Sequence, residues 1–172
     1  MNQRLLLTVL SVSGFVGLCS CKTVPKTLSD DRTPAEWARY LIHNAVWVSL
    51  GTLSTQTSIL GYPFISVRSI SDGPAANSTG IPYFYMPASG ITTNDLEADN
   101  RVTIMATQSQ DKLCEDSDPQ EPGCAKVFIT GTHVKVHHFV SKLEITQIEL
   151  LAVSEGLKHI TVEEYFSASI TE

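Results

Sequence analysis

The chain has 172 residues, 42% of them hydrophobic and 17% charged, with a formal net charge of -6 and a pI near 5.3. That length holds one domain around one core, and the composition excludes wholesale disorder. The acidic balance argues against a nucleic-acid partner and disfavours an anionic membrane surface.

Residues 1–21 read as a signal peptide. Arg4 supplies a short positive start. The apolar run from Leu5 to Leu18 is too short, and too interrupted by Ser and Gly, to span a bilayer well. Leu18-Cys19-Ser20-Cys21 offers small residues for cleavage. The same four residues partly resemble a bacterial lipoprotein box with Cys21 acylated, although Cys19 fits that box poorly. Residues 22–32 form a polar, flexible segment, and residues 33–172 form one domain.

The domain opens with a helix. Thr33 is its N-cap, Pro34 its first residue and Glu36 its third, the pattern of a capping box. Trp37, Tyr40, Leu41 and Asn44 or Ala45 follow at helical spacing, with Trp37 and Leu41 as core anchors. From Trp47 to Leu53 the pattern switches to the two-residue period of a strand. A second strand runs from Phe64 to Ile70, after the turn Gly61-Tyr62-Pro63. The turn formers Ser71, Asp72, Gly73 and Pro74 then open a loop that closes at Gly80. Inside it Asn77-Ser78-Thr79 is an N-glycosylation sequon in an exposed, flexible setting. Behind it Tyr83-Phe84-Tyr85 forms an aromatic strand assigned to the core.

Thr93 to Asn100 suits a short helix, with Asp95 and Glu97 near its positive end. Arg101 to Ser109 alternates again, with Val102, Ile104 and Ala106 on one face. Val127 to Val136 is a strand with a bulge at Gly131, and Leu143 to Val153 is another. Thr161-Val162-Glu163-Glu164 repeats the capping-box pattern and starts a final helix. About six strands, two or three short helices and no βαβ rhythm predict a mainly β, α+β barrel.

Chemistry is sparse. There is no G-x-S-x-G elbow, P-loop or G-x-G-x-x-G. Asp72 and Glu163-Glu164 read as solvated carboxylates of a turn and a helix start, since nothing in the neighbouring sequence suggests burial. On a strand His133 and His137 share a face but lie about 13 Å apart at ~3.3 Å per residue. They cannot share an ion at ~2.1 Å bonds, so no metal is expected and the histidines read as surface residues. Cys114 and Cys124 flank a polar loop. In an oxidising compartment a disulfide closing it is the natural reading, worth roughly 2–3 kcal/mol in the chain-entropy model. Zinc is the alternative, but two cysteines without a partner pair make a poor site.

Several stretches resemble the CREG glycoproteins in order and spacing. They are Ala38-Arg39-Tyr40, Gly51-Thr52-Leu53-Ser54-Thr55, Gly61-Tyr62-Pro63-Phe64, Ser69-Ile70-Ser71-Asp72-Gly73-Pro74 and Gly80-Ile81-Pro82-Tyr83-Phe84-Tyr85. Cys114 and Cys124, Thr130-Gly131-Thr132, Lys142-Leu143-Glu144-Ile145-Thr146 and Thr161-Val162-Glu163-Glu164-Tyr165 continue the likeness. The resemblance implies a split β-barrel of the FMN-binding, pyridoxamine-phosphate-oxidase type, usually a homodimer. It implies a secreted or endolysosomal glycoprotein without established enzyme activity, linked to growth restraint, differentiation and lysosomal function. A cell-surface or sorting receptor of the mannose-6-phosphate type is the implied partner.

The chain departs from the pattern twice. Val136 runs almost directly into His137-His138-Phe139 where relatives usually carry a helical segment, which puts the barrel closure and dimer interface in question. Glu144 stands where some relatives have a sequon asparagine, which leaves Asn77 as the sequon. Flavoenzymes of this barrel hold a dianionic phosphate with Arg and Lys, and charge-assisted contacts are the chemical requirement. Here the strand carries Arg68, and the turn Met86 to Ile91 offers only the hydroxyl of Ser89. The expectation is therefore no cofactor and no catalytic residue, with an FMN-dependent oxidoreductase as the alternative. The Ser71 to Gly80 loop is expected to lie over the flavin pocket.

Overall fold

The computed structural model describes residues 31–74, 76–110, 114, 118–120, 123–152 and 156–170. The signal peptide expected over residues 1–21, and most of the flexible segment expected over 22–32, lie outside the described residues. Helix α1 spans Pro34–Asn44 and begins with the expected capping box. Thr33 N–H donates to Glu36 Oε2 at 2.8 Å, and Glu36 N–H returns a bond to Thr33 Oγ1. Two first-turn donors that no helical carbonyl can satisfy are thereby paired.

Seven strands follow. They are β1 (Trp47–Leu53), β2 (Pro63–Ser71), β3 (Tyr83–Tyr85), β4 (Arg101–Thr107), β5 (Lys126–His137), β6 (Val140–Ala152) and β7 (Gly156–Ile160). Helix α2 (Ile91–Ala98) lies between β3 and β4, and α3 (Val162–Ser167) follows β7. Neighbours run β3-β2-β1-β4-β5-β6-β7, and β3 also pairs with β6. That extra pairing closes β1 to β6 into an antiparallel barrel, and β7 adds to the far half of β6. Strand β7 is an addition to the expected set. Its residues Gly156 to His159 are exposed, so no buried alternation marks it in the sequence.

The length of β6 makes this topology possible. One edge pairs with β5 along almost its whole length. The other edge takes β3 through Val140 to Lys142 and β7 through Ile148 to Ala152. Between them the register shifts opposite Gly131, with the bulge on β6 and not on β5 as expected. Thr130 pairs with Gln147 but Gly131 with Ile145, which leaves Thr146 as the extra residue. A Cβ on Gly131 would lie 1.9 Å from the carbonyl oxygen of Glu144, so only glycine fits. The segment that departs from the family pattern is a tight hairpin. His137 pairs with Val140 across a turn at His138-Phe139, and the barrel still closes through β3.

The core follows from the two-residue period. Val48 and Leu50 of β1, Val102, Ile104 and Ala106 of β4, Val127 and Ile129 of β5, and Leu143, Ile148 and Leu150 of β6 all point inward. Ala38, Leu41 and Ile42 of α1 and Tyr165 of α3 join the same core. Each fully buried large aliphatic side chain contributes about 1.5–3 kcal/mol over its exposed state. Trp37 packs against this core only partly. The aromatic strand β3 is not wholly interior. Phe84 is buried, while Tyr85 is 63% exposed on the opposite face, as strand alternation requires.

Candidate functional site

The loop after β2 is held by Asp72, which is 1% exposed. The expectation of a solvated turn carboxylate is wrong, because His43 of α1 and donors from the far end of its own loop close over Asp72. His43 of α1 places Nδ1 2.8 Å from Oδ1. The Ser78 hydroxyl and the Gly80 N–H both donate to Oδ2. The Asp72 carbonyl accepts the Thr79 N–H at 2.8 Å and the Thr79 hydroxyl at 2.6 Å. A buried carboxylate is tolerable only when its lone pairs are satisfied in this way.

Ser78 links that centre to Arg39. One guanidinium nitrogen donates to the Ser78 hydroxyl at 3.1 Å and to its carbonyl at 3.2 Å. The other donates to the carbonyls of Tyr165 and Ala168 at the end of α3. Tyr165 is fully buried and its hydroxyl donates to the Gly80 carbonyl at 2.8 Å. Burial pushes its pKa far up, against a smaller downward pull from Arg39. Gly80 adopts a φ of +74°, and a Cβ there would lie 2.8 Å from Arg39 Nε. Helix α1, helix α3 and the loop are thus joined through one polar network. The sequon rides on it: Asn77 is exposed, while Ser78 is half-buried and bonded on both sides. The loop is therefore densely bonded, unlike the flexible site expected. Its hydrogen bonds run to α1 and α3, not to the α2 region where the flavin phosphate was sought.

A second buried carboxylate, Asp95 of α2, is fully enclosed. Its Oδ1 accepts the Thr55 N–H at 2.7 Å and the Thr55 hydroxyl at 2.8 Å, and its Oδ2 accepts the Thr52 hydroxyl at 3.0 Å. Burial pushes its pKa up, but these three donors outweigh that and hold it below the ordinary aspartate value. Asp95 pins α2 to β1 and the turn after it.

Arg68 lies half-buried on β2, on the same strand face as Ser66. The Ser66 hydroxyl meets Thr92 Oγ1 at 3.2 Å, and Thr92 stands in the first turn of the helix that Ser89 precedes. Ser66, not Arg68, makes the contact with the α2 start. Arg68 Nη1 donates to the Val67 carbonyl at 3.5 Å, and its buried Nε has no partner. Ser89 is exposed. One orphaned donor favours an anion here. One cation and one exposed hydroxyl nevertheless do not match the charge of a phosphate dianion, so the residues present do not fit FMN.

Cys114 and Cys124 are joined by a disulfide, with Cα atoms 5.8 Å apart. Among the histidines, His137 and His138 are exposed, but His133 is half-buried and its Nε2 has no partner. Burial, with the positive charge of Lys135, holds the His133 pKa below the ordinary value against an opposing pull from Glu97. No group of three or more metal-binding side chains occurs among the described residues. Glu164 caps α3 through Thr161, and Glu163 is exposed.

Sequence reasoning missed Arg39, His43, Asp95 and Tyr165. A usable signal was the i,i+4 spacing of Arg39 and His43, which puts both on one face of α1 beside its buried apolar residues.

A family model described as "CREG, beta-barrel" matches residues 29–140. The chain is 30% identical to human Protein CREG1 over 164 residues, covering 79% of this chain and 74% of that protein. It is 31% identical to chicken Protein CREG1 over 171 residues, covering 82% of this chain and 89% of that one. Mouse Protein CREG2 is 41% identical over 107 residues, 61% of this chain and 37% of its own length. Among solved structures, a heme-binding protein from Mycobacterium smegmatis superposes with a TM-score of 0.64 at 16% identity. That match covers 81% of this chain and 62% of the other. A Clostridium acetobutylicum protein related to general stress protein 26, of the pyridoxinephosphate oxidase family, superposes with a TM-score of 0.55 at 10% identity. Its match covers 76% of this chain and 96% of the other, and both likenesses establish the split-barrel fold alone.

Proposed function

This chain belongs to the CREG family, and from that premise we propose a secreted, N-glycosylated protein that acts through receptor and protein contacts without catalysis. The carrying observation is how its buried carboxylates are used. Asp72 and Asp95 are the buried acids among the described residues, and the chain's own donors occupy both. Groups held this way fix structure and are not poised to exchange protons with a substrate. The Asp72 network instead presents Asn77 outward as a glycan acceptor. The partner is a cell-surface or sorting receptor of the mannose-6-phosphate type, the site of action is extracellular or endolysosomal, and the processes served are growth restraint, differentiation or lysosomal function.

A homodimer belongs to the same reading. Ile65 and Val67 are exposed side by side on β2, with Tyr85, Phe139 and Val140 exposed on β3 and the β5–β6 hairpin. Apolar surface of this extent marks an interaction face. Val67→Asp is expected to convert a dimer to a monomer in light scattering, and a wild-type chain that is already monomeric would remove the dimer from the proposal.

The competing reading is an FMN-binding oxidoreductase, favoured by the unpartnered Nε of Arg68. The visible absorbance of protein secreted from cells decides between them. No flavin band is expected. A flavin band that Arg68→Ala abolishes would overturn the non-catalytic reading.

A further inference from the structure

A cleft of about 550 Å³ opens beside the sequon. The loop residues Asn77, Ser78 and Thr79, Arg39 and His43 of α1, and Phe166 and Ser169 at the end of α3 all line it. The volume far exceeds the ~30 Å³ share of one water. Phe166 is 43% exposed, so an aromatic ring borders a cleft that is mostly polar.

A pyranose presents an apolar face of C–H groups together with hydroxyls, and in N-acetylglucosamine an acetamide as well. The C–H face packs on aromatic rings, and the polar groups need donors and acceptors. The cleft supplies both kinds of contact. His43 gives only Nδ1 to Asp72, which leaves Nε2 as the ring's other hydrogen-bonding atom. The Ser169 hydroxyl donates to Glu36 and retains acceptor capacity.

The attachment point is also fixed. Asn77 N–H donates to the Pro74 carbonyl at 2.8 Å, and the next two residues are tied to Asp72. A sugar on this asparagine starts from a rigid post, which lowers the entropic cost of settling against the neighbouring surface.

We propose that the first N-acetylglucosamine of a glycan on Asn77 seats in this cleft against Phe166, bridging the loop and the end of α3. The inference rests on glycosylation of Asn77. It makes the innermost sugar part of the folded structure, while the outer sugars remain free for a receptor.

The test uses the full chain secreted from glycosylating cells. One portion is trimmed by an endoglycosidase that leaves a single N-acetylglucosamine, and another is stripped completely by an amidase. Asn77→Gln provides a bare form without the new aspartate. The trimmed protein is expected to keep the Tm of the intact glycoprotein, and both bare forms to fall by about 2–4 °C. Phe166→Ala is expected to erase the difference between trimmed and bare. The amidase is expected to act several-fold more slowly on native wild type than on native Phe166→Ala. Equal Tm values and equal release rates, with a clear mobility shift on deglycosylation, would overturn this inference and leave the glycan intact as a proposal. No mobility shift under either enzyme would overturn glycosylation itself, and the seated sugar with it.

Discussion

The barrel contains two buried aspartates that solve the same problem in different ways. Asp95 is served by two threonines of one neighbouring stretch, all of its donors uncharged. Asp72 is served by α1 and by its own loop, and Ser78 ties it to Arg39 and so to α3. The first joins one helix to one strand end. The second holds together three segments that are far apart in the chain, and the sequon sits on it. A buried acid whose partners lie in one segment anchors an element, whereas one whose network spans three segments organises a surface. Loss of the first should therefore loosen α2 alone, and loss of the second should release the glycan-bearing loop.

The largest effect is expected from Asp72→Ala. It leaves His43, Ser78 and the Gly80 N–H without their acceptor, and is expected to cost about 3–5 kcal/mol in denaturant unfolding. A cost no greater than that of an exposed substitution would show that the network is not the anchor. Asp95→Asn comes next, at about 2 kcal/mol, because it exchanges charge-assisted bonds for neutral ones. Its signature is a pH dependence. The folded carboxyl sits below the unfolded value of about 3.9, so its contribution is complete above that value and is lost as the pH falls through the lower folded one. In Asp95→Asn the acid limb of the stability curve should shrink. A wild-type and variant pair with parallel limbs would contradict the assigned shift.

Ser78→Ala is expected to cost about 1–2 kcal/mol. It preserves Asn77-x-Thr79, so the sequon remains a valid acceptor while the link between Asp72 and Arg39 is cut. Glycan occupancy by mass spectrometry should persist, and amide exchange in the loop should rise. Unchanged exchange would mean that the loop is held by other contacts. The smallest effect is expected from Tyr165→Phe, about 1 kcal/mol, which removes one bond to the Gly80 carbonyl and keeps the buried ring.

Much of the fold was legible in the sequence. The two capping boxes rest on contacts three residues apart, and Val48-Leu50-Thr52 and Val102-Ile104-Ala106 alternate with the period of a strand. Strand β7 was not legible, because its exposed residues carry no inward-facing alternation. The site was less legible still. Asn77, Cys114 and Cys124 are marked by short local patterns, but the burial of Asp72 depends on His43, which stands 29 residues earlier in the chain. Arg39 meets Tyr165 across 126 residues.

What the amino-acid order determined by itself was local: where helices start, which strand faces are apolar, where the chain must turn, and the family to which it belongs. Each depends on interactions within a few residues or on patterning that survives in one dimension. The tertiary structure alone decided that β3 closes the barrel on β6, that an aspartate in a turn sequence is buried, and that an apparently free loop is bonded to two helices. Those outcomes depend on which distant donors reach a carboxylate, and only the closed barrel brings them within hydrogen-bonding distance.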